Sequence, residues 1–148
     1  MSLEEIFSCR GKVALVTGAA SGLGFMFAEA MAEAGADVAC ADIDMDGLSD
    51  TMRTVEALGR KAIAIRCNVA DEEQVKRMVA DTVKAFGTID ILFNNAGIGP
   101  RPCPVHELAT EDWGKVIDVD LNGAFYCARE VLKVMVPRRS GKIINIAS

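Results

Sequence analysis

The stretch that decides the fold of this chain is Thr17-Gly18-Ala19-Ala20-Ser21-Gly22-Leu23-Gly24, which follows a short apolar run and precedes a helical pattern over residues 25–34. This order predicts a strand, a glycine turn and a helix. Glycine permits a tight turn at Gly18, a close approach of backbone to a ligand at Gly22, and close packing of helix on strand at Gly24. The free N–H groups and the positive dipole end of the helix would suit a pyrophosphate. The glycine spacing differs from the commonest dinucleotide fingerprint, so a tight turn without a ligand remains an alternative for this stretch alone.

An acidic residue, Asp42, lies about twenty residues past the glycines, at the end of a second apolar run over residues 37–41. Its carboxylate can accept hydrogen bonds from both hydroxyls of a ribose. Its charge would repel the extra phosphate of NADP, and residues 19–21 and 43–49 contain no Arg or Lys that could neutralise that phosphate. The sequence therefore favours NAD. The alternative is that Asp42 caps the helix that starts near Asp44.

Short apolar runs alternate with amphipathic patterns along the chain. Apolar runs without polar alternation are typical of strands buried on both faces, so they predict a parallel sheet with helices on each side. The predicted strands are residues 13–16, 37–41, 62–66, 89–93 and 142–147. The predicted helices are residues 25–34, 44–58, 71–86 and 110–136, the last ended by Pro137. The expected fold class is α/β, a doubly wound parallel sheet with five strands, in a single domain over residues 1–148.

Composition predicts a cytoplasmic globular protein without a membrane anchor. Hydrophobic residues make up 51% of the chain and charged residues 25%, and no apolar run approaches the roughly 20 residues that span a bilayer. The first ten residues contain two glutamates and lack the basic start and long apolar stretch of a signal peptide. The net charge of −5 argues against a nucleic-acid partner, which would require an excess of Lys and Arg.

The five cysteines indicate a reducing compartment, because their number is odd and their spacing is not paired. Cys40, Cys67 and Cys127 are expected to be buried as small apolar residues. Cys103 and His106 form a lone C-x-x-H pattern that lacks the further ligands of a zinc site. No metal site is therefore expected.

Three motifs in order give the chain a resemblance to a known family. The glycine stretch is followed by Asn68-Val69 after the third strand and by Asn94-Asn95-Ala96-Gly97 after the fourth. With these motifs the chain resembles the N-terminal portion of the short-chain dehydrogenase/reductase family. The resemblance implies an NAD-binding Rossmann domain, and small residues and Asn amides suit a backbone that lies against the cofactor with neighbouring strand ends tied together. The cofactor contacts that it implies are Gly18, Ser21, Gly22, Leu23, Gly24, Asp42, Ile43, Asn68, Val69, Asn95, Ala96 and Gly97.

The resemblance also implies catalytic residues, since the family uses a Ser, a Tyr and a Lys assisted by an Asn. Ser148 stands at the serine position. The family's Asn-Leu-x-Gly pattern is matched by residues 120–123, which places Asp120 at the Asn position, where its main-chain carbonyl would hold a water. The Tyr and Lys pair has no match here, because Tyr126 is the only tyrosine and Glu130 stands four residues later. Tyr126 is therefore expected to pack in the core or an interface.

The function that the resemblance implies is NAD-dependent hydride transfer that interconverts a secondary alcohol and a ketone, with a small-molecule substrate. The chain is expected to be a fragment truncated after the fifth strand, with the C-terminal strands missing, from a protein that forms a homo-oligomer when full length. The alternative is a truncated product that binds NAD or a partner without turnover. A methyltransferase and a serine hydrolase fit the motifs less well. Sugars, polyols, steroids and 3-oxoacyl thioesters stay open as substrates, and the Pro-rich residues 99–104 are either a substrate-side loop or a rigid connector.

Overall fold

Five apolar segments form the strands of one parallel sheet in the computed structural model, which describes residues 3–147. The strand order is β3-β2-β1-β4-β5, and every neighbouring pair is parallel. The strands are β1 (Val13–Thr17), β2 (Asp37–Asp42), β3 (Ala62–Arg66), β4 (Ile91–Asn94) and β5 (Lys142–Asn145). The chain runs outward from β1 to β3 and then crosses to the other side of β1, so the strand order reverses between β1 and β4.

The helices connect these strands and cover the sheet. They are α1 (Leu3–Phe7), α2 (Gly22–Glu33), α3 (Met45–Ala57), α4 (Glu72–Phe86), α5 (Thr110–Val116) and α6 (Ala124–Arg138). A short 3-10 helix, Val105–Glu107, precedes α5. Within the described residues, no helix has both the length and the apolar character needed to cross a membrane.

Successive residues of β1 point into two different cores. Leu15 packs with residues of α4 and α6, among them Met78 and Val131. Val16 packs on the opposite face with residues of α2 and α3, including Leu48. Because β1 and the middle of β2 are buried and helices pack on each face of the parallel sheet, the predicted doubly wound α/β fold is confirmed.

Several element boundaries differ from the prediction by one to three residues, and two of them have a clear physical cause. β4 begins at Ile91 instead of residue 89, because the buried Asp90 carboxylate accepts a hydrogen bond from the Val13 N–H at 3.0 Å and anchors the entry to the strand. The last helix continues through Pro137 to Arg138, and it ends where Arg139 adopts a left-handed conformation (φ 52°). Proline is tolerated there because it removes only one hydrogen bond, in the final turn.

The long predicted helix is continuous, but its middle is wider than an α-helix. Residues Ile117–Gly123 form a π-helical segment between α5 and α6. A Cβ on Gly123 would come within 2.7 Å of Val69 Cγ2, so this glycine allows the segment to pack against the loop after β3. Such π segments are frequent at functional sites.

Candidate cofactor site

A cleft of about 340 Å³ lies at the carboxyl ends of the strands, where the strand order reverses. In an open α/β sheet this is the place where ligands bind. Nine of the twelve predicted cofactor contacts line it: Gly18, Ser21, Asp42, Ile43, Asn68, Val69, Asn95, Ala96 and Gly97. The other three, Gly22, Leu23 and Gly24, form the first turn of α2 next to the cleft.

The glycine turn allows helix α2 to sit directly against β1. Gly18 has φ +67°, and a Cβ there would come within 2.9 Å of Ala96 Cα. A Cβ on Gly24 would overlap the carbonyl oxygen of Gly18, so the predicted close packing at this position is confirmed. Ser21 is the N-cap of α2 but its side chain makes no capping hydrogen bond. The first N–H groups of the helix are therefore left for another acceptor, and an anion would suit them.

Asp42 is fixed at the rim of the cleft by two backbone groups. Its Oδ2 accepts a hydrogen bond from the Ala20 N–H at 3.0 Å, and its Oδ1 accepts one from the Asp44 N–H at 3.1 Å. The alternative that Asp42 caps α3 is wrong, because Asp44 Oδ1 accepts from the N–H groups of Asp46 and Gly47. Each oxygen of an ionised carboxylate has two acceptor sites, so Asp42 keeps capacity for ribose hydroxyls.

The ends of β1 and β4 are tied together behind the cleft. The buried Thr17 hydroxyl donates to the Phe93 carbonyl (3.2 Å) and accepts from the N–H groups of Asn95 (3.0 Å) and Ala96 (3.1 Å). The Asn95 amide donates in return to the carbonyls of Thr17 (2.9 Å) and Gly18 (3.2 Å). These bonds fix two walls of the cleft relative to each other.

A second amide ties β4 to the elements on its other side. Buried Asn94 donates through Nδ2 to the Ala124 carbonyl (3.1 Å) and to Asn145 Oδ1 (2.9 Å). The predicted role of the Asn amides in tying neighbouring strand ends together is therefore confirmed.

The loop after β3 supplies the far wall of the cleft. Asn68 donates its N–H to Gln74 Oε1 at 3.0 Å and accepts from the Ala70 N–H through Oδ1 at 3.1 Å, so its turn is held in place. Cys67 is buried, and this burial, with a smaller contribution from Asp71, raises the pKa of its thiol to about 11. The thiol is therefore neutral near pH 7.

Three cleft residues were not predicted: Cys67, Ile98 and Val119. Cys67 and Ile98 directly adjoin predicted contacts in the sequence, so a wider window around each motif would have included them. Val119 comes from the π-helical segment, and no local pattern shows that this segment reaches the cleft.

The two predicted catalytic residues have different outcomes. Asp120 lies in the π-helical segment, and its Oδ1 accepts a hydrogen bond from the Ile98 N–H at 2.9 Å. It is thus joined to the loop that follows β4 and lines the cleft. Ser148 lies outside the residues that the structure describes.

Tyr126 has the packing role that was expected. It is half-buried against the core on the α4 and α6 face, and the Arg129 guanidinium lies 5.5 Å from its ring centroid. The expected burial of Cys40, Cys67 and Cys127 is also confirmed. Over residues 3–147, no group of three or more His, Cys, Asp or Glu side chains is placed to hold a metal ion.

Comparison with known proteins identifies a family model and relatives that match nearly the whole chain. The family model described as short chain dehydrogenase matches residues 12–148. The chain is 40% identical over 145 residues to the sorbose reductase of Candida albicans, covering 97% of this chain and 52% of that protein. It is 44% identical over 146 residues to the 2-dehydro-3-deoxy-D-gluconate 5-dehydrogenase of Pseudoalteromonas atlantica, covering 97% and 57%.

A solved structure of NAD+-bound xylitol dehydrogenase matches the fold with a TM-score of 0.92 at 36% identity, covering 94% of this chain and 54% of that one. The chain spans about half the length of the curated relatives that it matches. The family model covers nearly all of the chain, and the two relatives are named as a reductase and a dehydrogenase. The chain therefore belongs to the short-chain dehydrogenase family.

Proposed function

We propose that the natural protein is an NAD-dependent oxidoreductase that interconverts a secondary alcohol and a ketone by hydride transfer. The observation that carries this proposal is the carboxylate of Asp42, held by two backbone N–H groups at the rim of a cleft that is lined by nine of the predicted contacts. When bound, the nicotinamide ring supplies the acceptor or donor of the hydride.

The residues of the cleft fit a dinucleotide. Gly18 and Gly24 leave no room for side chains between turn and helix, and the uncapped start of α2 offers N–H donors to a pyrophosphate. Asp42 would accept from the adenosine ribose, and its charge favours NAD over NADP. Asn68 and Val69 would contact the adenine, and the small residues Ala96 and Gly97 would let backbone lie against the nicotinamide ribose.

Two residues would act on the substrate side. Ser148, the third residue after β5 in the sequence, would donate a hydrogen bond from its hydroxyl to the substrate oxygen. The main-chain carbonyl of Asp120 would hold a water of the proton relay. The hydrogen bond from Ile98 to the Asp120 side chain supports this placement, because it fixes the π-helical segment beside the cleft.

The test of the activity is NAD-linked oxidation of a panel of secondary alcohols and polyols by the natural protein, followed by nicotinamide absorbance. Ser148→Ala should lower kcat by about 100-fold or more, the contribution of a positioned catalytic group, while NADH binding stays unchanged. Ser140→Ala is the matched control, because Ser140 is exposed in the loop before β5. If the protein binds NADH but oxidises none of the alcohols in the panel, the result would favour a catalytically inactive cofactor-binding product.

We further propose that the natural protein is cytoplasmic and forms a homo-oligomer through the outer face of the long helix. Trp113, Leu121 and Phe125 support the assembly, since each side chain on that face is more than half exposed. Phe125→Glu should lower the mass measured by light scattering to that of a smaller species, whereas Lys115→Glu should not.

A further inference from the structure

The sheet places a cation beside Asp42 that is distant from it in the sequence. Arg66 is the last residue of β3, and its Cα is the register partner of Asp42 Cα in the parallel β2–β3 ladder. Neighbouring strands lie about 4.8 Å apart, and successive side chains alternate between faces. Ile65 packs on the α4 face and Ala64 on the α3 face, so Arg66 shares the face of Ala64. Asp42 also points to that face, because its carboxylate accepts from the N–H of Ala20 in the glycine turn before α2.

The guanidinium of Arg66 is not used by the fold. Arg66 is exposed, and its side chain makes no hydrogen bond or ion pair within residues 3–147. By contrast, Arg60 pairs with Asp37 at 2.6 Å and Arg138 pairs with Asp90 at 2.8 Å. Arg66 therefore keeps all its donors for a ligand at the rim of the cleft.

The Asp42 carboxylate itself occupies an anion site. Two backbone N–H groups, of Ala20 and Asp44, donate to its two oxygens, and Arg66 stands on the neighbouring strand. Without the carboxylate, these donors and the guanidinium would converge on the space beside the ribose. A phosphate is the ligand that such a set binds best, because guanidinium and backbone N–H donors both match its oxygens.

We propose that Arg66 is a second determinant of cofactor choice: with the N–H groups of Ala20 and Asp44 it forms a site for the 2′-phosphate of NADP, which the Asp42 carboxylate now fills. This inference rests on the proposed function. The nearby carboxylate of Asp44 opposes a phosphate, and together the two acids outweigh one arginine, so NAD remains the preferred cofactor. Loss of the Asp42 charge alone is then enough to admit NADP.

The experiment is a calorimetric titration of the natural protein with NADPH and with NADH, which measures binding without turnover. Asp42→Ala should bind NADPH about tenfold or more tightly than the unsubstituted protein, the effect of one or more charge-assisted hydrogen bonds. Asp42→Ala with Arg66→Gln should lose that gain. Arg66→Gln alone should change the NADH affinity less than about twofold. Arg53→Gln is the matched control, since Arg53 is an exposed arginine on α3.

Asp42→Asn gives a second reading if the alanine variant folds poorly, because its amide oxygen can still accept from one of the two N–H groups. It should show a smaller gain in NADPH affinity than Asp42→Ala, because the amide still occupies part of the site, and that gain should also depend on Arg66. Equal NADPH affinity with and without Arg66, in both Asp42 backgrounds, overturns the role of Arg66. The role of Arg66 is also overturned if the unsubstituted protein binds NADH and neither Asp42 variant binds NADPH more tightly than the unsubstituted protein does. Absence of NADH binding overturns the proposed function, and this inference with it.

Discussion

At the scale of single residues, the cleft depends on a few buried polar groups that join separate strands. Thr17 is the clearest case, because its one hydroxyl accepts from two backbone N–H groups and donates to a carbonyl. Removing it leaves buried donors without partners, which costs more than the bonds themselves. The stability of the strand ends and the shape of the cleft are therefore linked at this residue.

Thr17→Val should lower the free energy of unfolding by about 1–3 kcal/mol per N–H left unsatisfied, measured by urea denaturation. Thr17→Ser, which keeps the hydroxyl, is the control and should lose less than Thr17→Val. A valine variant as stable as the serine variant would show that the hydroxyl bonds contribute nothing.

The buried thiols make stability fall at alkaline pH. Burial raises the pKa of Cys40 to about 12 from 9.0. The unfolded state loses this thiol proton above pH 9 while the folded state keeps it, so stability is complete below pH 9 and decreases as pH rises toward 12. Between pH 9.5 and 10.5, the free energy of unfolding of Cys40→Ala should fall by about 1.4 kcal/mol less than that of the unsubstituted protein. Parallel pH profiles for the two proteins would contradict this.

At the scale of elements, the wide turn in the long helix brings the helix to the cleft. The π-helical segment supplies Val119 to the lining and Asp120 to the loop after β4, and Gly123 packs against Val69. These three contacts come from one seven-residue segment. Its geometry is thus part of the site as well as of the core.

Gly123→Ala should destabilise the protein by about 1–3 kcal/mol and weaken NADH binding, because the new Cβ overlaps Val69, which lines the cleft. Adding Val69→Ala should restore part of the stability. Gly114→Ala is the matched control: no atom lies within 4 Å of its Cβ position, so it should stabilise α5 by about 0.5–1 kcal/mol. An effect of equal sign at both glycines would exclude the steric explanation.

Helix α3 begins beside the glycine turn, and its N-cap residue Asp44 contributes to the stability of the fold. Asp44→Ala should lower the free energy of unfolding by about 0.5–2 kcal/mol, since Oδ1 of Asp44 accepts from two N–H groups of the first turn. Asp81→Ala, at an exposed position of α4, should change stability by less than about 0.5 kcal/mol. Thermal or urea unfolding of both variants makes the comparison.

Elements with local signals could be predicted from the sequence, and features that depend on packing could not. The glycine turn, the Asn motif and the apolar strands each have short-range patterns, and all five strands form near the expected positions. The π-helical segment has the same composition and spacing as an α-helix, so its extra width comes only from contacts such as Gly123 with Val69. Arg66 was missed because strand register brings it to Asp42 from 24 residues away in the chain.

At the scale of the whole molecule, the reversal of strand order between β1 and β4 creates the site. The crossover leaves the carboxyl ends of these two strands open to one crevice. The glycine turn, Asp42 and the segment Asn95-Ala96-Gly97 after β4 meet there. Residues from five separate segments of the chain line it. The cleft is therefore a property of the topology, while the choice of ligand depends on individual residues.

The central claim is that this cleft binds NAD through the Asp42 carboxylate, and calorimetric titration of the natural protein with NADH tests it most directly. We predict saturable binding by the unsubstituted protein and by Asp81→Ala, and an affinity about tenfold or more lower for Asp42→Ala, because two ribose hydroxyls lose a charged acceptor. Failure of the unsubstituted protein to bind NADH, or equal affinity in Asp42→Ala, would contradict the claim.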